Sequence, residues 1–372
     1  MPLTATEQQI VGLLRSDPTI DAATIAERLG TSRAAVNVHL SNLGKKGVIV
    51  GRGYILSEQP AVVVIGGANM DVKARSAARM VPGTSNPGSG SMVPGGVGRN
   101  VAENLARLGT RTFLVAAAGR DPAGESLLAQ TAAAGVRLEY VHRTDLPTGL
   151  YVALLDRDGE LVSAVADMGA TDRLAPQEIN RARDVIATAG LVVVDGNLSA
   201  ATLTHALDLA AGTRTVLDPV SVPKAAQLAA CISADRPLYA VTPNRDELAA
   251  LTGLPVRTDR QLQTAAAALH DRGAQHVWIR LGRRGSLLST ASAGTTAIPA
   301  AATAVEDVTG AGDAMLAAFC HAVLEGRDVV TAARYGHAAA ALTIASPHTV
   351  RPDLTPRLVE AALPPLDQEQ PA

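Results

Sequence analysis

The chain has 372 residues, 47% of them hydrophobic and 18% charged, with a formal net charge of −2. That length and apolar content predict two domains, or one large α/β domain with a small module, and they exclude global disorder. No run approaches the roughly 18 apolar residues of a membrane span. The start Met1-Pro2-Leu3-Thr4 predicts no secretory signal, and two cysteines are too few for a disulfide framework or a four-ligand zinc site. A cytoplasmic enzyme is the expectation. Aromatics at 2% predict a core of Ala, Val and Leu and argue against base stacking on aromatic platforms.

Charge is uneven: residues 1–57 carry six basic against four acidic side chains, which points this end at a polyanion. Ile10, Val11, Leu13 and Leu14 share one helical face, and Asp17-Pro18 stops that helix. A second helix runs from Asp21 to Leu29, with Ala22, Ile25 and Leu29 inward and Gly30 placed to end it. Thr31-Ser32 cap a third, whose Ala35, Val36, Leu40 and Leu43 turn inward. That leaves Ser32, Arg33, Asn37, His39 and Lys45 for its outer face. The short turn between these two helices is the geometry in which a helix enters the major groove. Val48-Ile49-Val50, Gly51-Arg52-Gly53 and Tyr54-Ile55-Leu56 read as a hairpin wing with an arginine at its tip. Residues 1–57 resemble the winged helix-turn-helix domains of bacterial regulators. The resemblance implies DNA contact through Arg33, Asn37 and Arg52. A packing or dimerisation module with a solvated basic face is the other reading.

After the Ser57–Pro60 linker the pattern alternates. Strands are expected at Ala61–Ile65, Thr112–Ala117, Leu191–Asp195, Thr215–Asp218, Tyr239–Thr242 and His276–Leu281, with helices at Gly98–Leu108 and Asp121–Ala134. Such alternation means a mainly parallel sheet covered by helices on both faces. A hairpin, Tyr151–Asp156 and Glu160–Ala166 around Asp158-Gly159, interrupts it as a lid over the carboxyl ends of the strands. The domain is expected to span 61–363, followed by a frayed tail, 364–372.

The most chemical stretch is Glu306-Asp307-Val308-Thr309-Gly310-Ala311-Gly312-Asp313, opening an apolar helix. Gly310 and Gly312 let N–H groups point inward beside the positive helix end, an anion hole suited to a phosphoryl group in flight. Asp313 could accept a hydroxyl proton there. Taken alone, the same run equally fits a loop and a capping Asp. Earlier in the chain stand Pro94-Gly95-Gly96-Val97-Gly98-Arg99-Asn100, Thr242-Pro243-Asn244-Arg245-Asp246-Glu247, and the Gly282 and Gly285 turn.

With these motifs in order, residues 61 to about 350 resemble the ribokinase-like, pfkB family of carbohydrate and nucleoside kinases. No P-loop is present. The resemblance implies a three-layer α/β sandwich with a small β lid, and ATP as phosphoryl donor. Within the family, Ile65–Val72, Ser85-Asn86-Pro87-Gly88, Pro94–Gly109, Asp167-Met168 and Asp218–Ser221 with Lys224 are similar to the pseudouridine kinases. Ala166 and Val222-Pro223 depart from that pattern. The implied substrate residues are Asn69, Asp71, Gly95, Gly96, Asn100, Asp167 and Lys224. Thr309, Gly310, Ala311 and Gly312 would cradle the phosphoryl group, with Asp313 as base. Asn244, Gly282 and Gly285 would sit at the nucleotide, Glu247 at Mg2+ and Asp307 at K+. The expected activity is phosphorylation of the 5′-hydroxyl of pseudouridine by a homodimer. Other nucleoside or sugar kinases, and a ligand-sensing regulator on a kinase fold, are the alternatives.

Overall fold

The computed structural model describes residues 3–49, 60–301 and 303–364. Most of the expected wing, Arg52 included, lies outside the described residues, as do the linker up to Gln59 and the tail from Leu366's predecessor onward. The chain divides into two compact units, Met1–Glu58 and Gln59–Ala372.

In the first unit, helices span Ala5–Ser16, Ala22–Arg28 and Arg33–Lys45. Each begins where a side-chain oxygen meets an orphan N–H: Thr4 accepts from Glu7, Asp21 from Thr24 and Ser32 from Ala35. Ile10, Ile25, Ala26, Val36 and Leu43 form the small core. Arg33 and Asn37, one turn apart on the third helix, are both exposed.

Among the described residues the second unit has fourteen strands: β1 (Val62–Ile65), β2 (Asn69–Ser76), β3 (Gly88–Gly95), β4 (Thr112–Val115), β5 (Ala117–Gly119), β6 (His142–Thr144), β7 (Leu150–Leu155), β8 (Leu161–Asp167), β9 (Leu191–Asp195), β10 (Thr215–Asp218), β11 (Leu238–Val241), β12 (Ala274–Arg280), β13 (Ser286–Thr290) and β14 (Gly294–Ile298). The main sheet runs β14-β13-β12-β11-β10-β9-β1-β4. Neighbours from β12 to β4 are parallel, while β13 and β14 join antiparallel. Alternate strand residues feed two cores, Val62 and Val64 into one and Val63 and Ile65 into the other. This is the pattern of a sheet buried on both faces, a three-layer sandwich. Trp278 of β12 sits in the first core against Phe319, with ring centroids 4.8 Å apart, and its indole N–H donates to Ser286 at 2.8 Å.

Two expectations change. The stretch Thr112–Ala117 is not one strand: β4 ends at Val115, and β5 leaves to pair with β6. The lid is more than a hairpin, since β7 and β8 join β2 and β3 in a four-stranded sheet ordered β3-β2-β7-β8. Asn69 and Asp71, implied substrate residues, therefore lie on β2 within the lid sheet. Among the described residues, no helix is long and apolar enough to cross a membrane.

Candidate active site

From β1 the chain reaches its neighbour β4, then returns to β9 on the opposite side of β1. The carboxyl end of β1 is thus a switch point, where an open α/β sheet leaves a crevice for ligand. Asp195, at the end of β9, fixes that crevice: its Oδ2 accepts from the N–H of Gly67 at 2.8 Å and of Gly98 at 2.7 Å. The backbone after β1 is thereby held to the start of the helix Val97–Arg107. Burial pushes the Asp195 carboxyl up, while these donors pull it down.

Asn69 donates to Asp71 Oδ1 at 2.7 Å, and burial raises the Asp71 carboxyl above its ordinary range. Gly95 lies opposite Asn69 in the register, and a Cβ there would strike the Asp71 carboxylate. The second residue of this Gly-Gly pair, Gly96, caps the helix that carries Asn100. Together Asn69, Asp71, Gly95, Gly96 and Asn100 offer a carboxylate and amides in fixed positions, the equipment needed to hold sugar hydroxyls.

Asn100 joins this group to Asp313. The Arg99 guanidinium donates to Asn100 Oδ1 at 2.9 Å. Arginine is only a donor, so the Asn100 amide must turn its NH2 the other way. It does so toward Asp313 Oδ2, at 2.8 Å. Arg99 itself is buried, bonded to the Pro94 carbonyl and paired with Glu103. Asp313 is therefore no helix cap. The helix Ala311–Leu324 is capped by Gly310 without any side-chain bond, and Asp313 stands in its first turn. Gly310 has φ of +78°, and a Cβ there would collide with the Thr349 carbonyl, so the loop requires glycine. Burial raises the Asp313 carboxyl to about 7, opposed mainly by the Asn100 bond. A carboxylate poised near neutrality in the first turn of a helix is equipped to take a hydroxyl proton.

On the far side of the anion loop, Arg280 at the end of β12 pairs with Asp218 Oδ2 at 3.0 Å and Glu247 Oε2 at 3.4 Å. Asn244 and Glu247 form a reciprocal capping box at the start of the helix Arg245–Thr252, with bonds of 2.9 and 2.8 Å. Glu247 is buried, not the exposed first-turn carboxylate that spacing alone allows. Among the described residues, no group of three His, Cys, Asp or Glu is placed to hold a metal unaided. Magnesium bound near Glu247 would depend mainly on phosphate oxygens and water, which suits its coordination habits. Val220 is the single described non-glycine residue with positive φ, +68°, and its N–H donates to Asp218 Oδ1 at 2.8 Å. A β-branched residue so placed marks strain held beside this cluster.

Asp307 is already occupied. Its Oδ1 accepts from Thr309 N–H and Oγ1 at 2.8 and 2.6 Å, and its Oδ2 faces Lys73 Nζ at 3.2 Å. Lys73 thus already brings a positive charge to this carboxylate, and a potassium ion on Oδ2 would share that oxygen with the ammonium. Gly282 and Gly285 lie in the turn between β12 and β13, both with positive φ. Lys224 is half-buried on the helix Val222–Leu228 and bonds to none of these groups. Asp167 ends β8, exposed, its Oδ1 accepting from Gly169. Asn86 spends its amide on the Val81 and Thr84 backbone of its own loop, so it shapes the flap and is not held out toward a base. Sequence reading missed roles for Asp195, Arg99, Lys73 and Arg280. For Asp195 and Arg280 a signal existed: Asp195 is a charge closing an otherwise apolar, buried strand, and Arg280 follows the buried apolar run Val277-Trp278-Ile279.

A switch-point crevice, a glycine anion loop at a helix start and a poised carboxylate define a phosphotransferase acting on a hydroxyl group. The chain belongs to the pfkB family of carbohydrate kinases, whose model matches residues 59–356. A second model, for winged helix-turn-helix DNA-binding domains, matches residues 3–50. The chain is 35% identical over 350 residues to the uncharacterised sugar kinase YeiI of Escherichia coli (strain K12), spanning 94% of this chain and 96% of that one. It is 32% identical over 304 residues to the pseudouridine kinase of the same organism, spanning 81% and 95%. Arabidopsis thaliana ribokinase, solved with ribose and ATP, superposes with a TM-score of 0.72 at 28% identity, covering 82% of this chain and 99% of that one. The protein is an ATP-dependent sugar or nucleoside kinase carrying a winged helix-turn-helix domain.

Proposed function

We propose that the kinase phosphorylates the 5′-hydroxyl of pseudouridine. The observation that carries the mechanism is the Asn100–Asp313 bond, because it joins a hydroxyl-reading amide to the carboxylate beside the anion loop. In this reading Asn69, Asp71 and Asn100 hold the ribose, and Gly95 and Gly96 let it approach the backbone. Asp313 takes the 5′-hydroxyl proton as the oxygen attacks the γ-phosphorus. Thr309, Gly310, Ala311 and Gly312 surround the phosphoryl group in flight, and positioning with charge neutralisation does most of the work. Asn244, Gly282 and Gly285 line the nucleotide. Glu247 would help hold Mg2+, which would supply charge neutralisation at the phosphates. Lys73 supplies a fixed positive charge at Asp307, where a K+ ion was expected.

The base choice is supported by the pseudouridine kinase relative, and in this reading Asp167 and Lys224 supply the polar groups that meet the base. A site built to hydrogen-bond an extra N–H can reject analogues lacking it by about 10⁴-fold. Measuring kcat/KM for pseudouridine, uridine, adenosine, ribose and fructose under one condition tests it. Pseudouridine should lead; a lead for ribose or fructose would return the protein to generic sugar phosphorylation with Asp313 unchanged in role.

We also propose that residues 1–57 bind a palindromic DNA site as a dimer through Arg33, Asn37 and Arg52. A mobility-shift titration against the gene's upstream region should weaken steeply with salt. Absence of any salt-sensitive complex would leave a packing module. Light scattering on the intact chain checks the homodimer.

A further inference from the structure

Arg280 has no place in the roles above, yet its guanidinium stands at the anion loop. A Cβ built on Gly312 would lie 3.0 Å from Arg280 Nη1. The backbone is equally fixed: Arg280 N–H donates to the Pro243 carbonyl at 2.8 Å, tying β12 to the loop before Asn244. The side chain is 18% exposed.

Its present partners hold it unequally. Nη1 meets Asp218 at 3.0 Å, but the two contacts of Nη2, to Asp218 Oδ1 and Glu247 Oε2, are 3.5 and 3.4 Å. Contacts that long are weak hydrogen bonds, whereas a phosphate oxygen offers shorter, charge-assisted ones to the same planar fork. Charge points the same way. Asp218, Glu247 and Asp313 gather three carboxylates around one arginine, a field that repels a triphosphate unless cations face it. Arg280 is the cation already aimed at the loop.

We propose that Arg280 is a catalytic arginine: on nucleotide binding its guanidinium, whose Nη1 faces the loop, gives up the two long Nη2 contacts to carboxylates and donates to oxygens of the phosphoryl group in transfer. In that step the bond from γ-phosphorus to the β,γ-bridging oxygen breaks and a bond to the acceptor oxygen forms. The acceptor proton passes to Asp313, ADP leaves with the bond's electron pair, and Arg280 stays protonated throughout. The assignment rests on the kinase reaction and not on which nucleoside is phosphorylated.

The test compares wild type, Arg280→Lys and Arg280→Met in the full chain. A cationic arm of this kind is worth about 10³–10⁵-fold in kcat. Arg280→Met should lose on that order, with the acceptor KM within about threefold and with partial recovery in millimolar guanidinium. Thermal shifts give a readout without turnover. Mg2+ with ADP and aluminium fluoride, a mimic of the phosphoryl group in flight, should raise the Tm of wild type well beyond Mg2+ with ADP alone. That extra increment should vanish in Arg280→Met. Arg280→Lys keeps the charge near Asp218 and Glu247 and serves if the methionine variant does not fold; it should keep the wild-type Tm and still lose most of the increment. A kcat within about threefold of wild type, or an unchanged aluminium fluoride increment, would overturn the proposal. Failure of every nucleoside in the panel would count against the substrate reading and leave the thermal-shift arms standing.

Discussion

Around Asp313 the charged side chains find partners inside the fold, whereas along β8 every residue is exposed. The first region is wired by bonds that exist before any substrate arrives: Arg99 to Asn100, Asn100 to Asp313, Asp195 to the Gly67 and Gly98 backbone. The second presents Asp167, Val162 and Val165 with few bonds to fix them. Preorganised polar groups lower a barrier because they need not reorient during the reaction. Recognition groups on an exposed sheet are completed by what docks there. The contrast separates rate, built into the crevice, from choice of substrate, left to the lid.

The largest effect expected at the crevice is for Asp313→Asn, which keeps shape and loses the base. It should reduce kcat by about 10²–10⁴-fold with nucleoside affinity nearly intact, checked by steady-state kinetics beside calorimetric binding. Near-normal turnover would erase the contrast. The same variant should gain stability. A carboxyl raised by burial favours the folded state only when protonated, so its cost is full above about pH 7 and fades as pH falls toward the ordinary Asp range. The Tm advantage of Asp313→Asn should therefore be larger at pH 8 than at pH 5.

Next in size is the removal of Asn100. Asn100→Leu should cost about 10²-fold through misplacement of Asp313. Wild-type kcat/KM should fall about tenfold for each pH unit below about 7. Because the Asn100 bond holds the Asp313 carboxyl down, this limb should move to higher pH in Asn100→Leu. A limb that stays put would mean the bond does not tune the base.

Smaller effects belong to the periphery. Wild-type rate should change little when K+ replaces a bulky organic cation, whereas Lys73→Met should become slower and recover with K+; indifference of the variant to K+ would deny Lys73 its part. The smallest change is expected for Lys224→Ala, within about threefold for ribose and larger only for pseudouridine, measured as the ratio of kcat/KM. An equal loss for both would move Lys224 from recognition to chemistry.

How far this was readable from residues alone follows the same division. Strands β1, β9 and β10 and the loop before Asp313 announce themselves, because burial on both faces writes continuous Val and Leu runs, and glycine is required where φ is positive. The lid hid half of itself, since Asn69–Ser76 and Gly88–Gly95 carry Lys73, Arg75, Ser89, Gly90 and Ser91, a composition that resembles loop more than strand. Long-range partners were equally invisible. Nothing local in Arg280 says that it meets Asp218 and Glu247, 62 and 33 residues away. Asn244 and Glu247 illustrate a further ambiguity, because a capping box and a metal-positioning pair use the same residue types at the same spacing.

Trp278 is the only tryptophan in 372 residues, and it lies two positions before Arg280, with its ring on Phe319 of the helix that begins beside Asp313. Excited at wavelengths that spare tyrosine, the protein therefore emits from the kinase unit alone, while the first unit stays dark. Denaturation followed by this emission tracks one unit, far-ultraviolet dichroism tracks both, and their difference isolates the melting of the DNA-binding helices without cutting the chain.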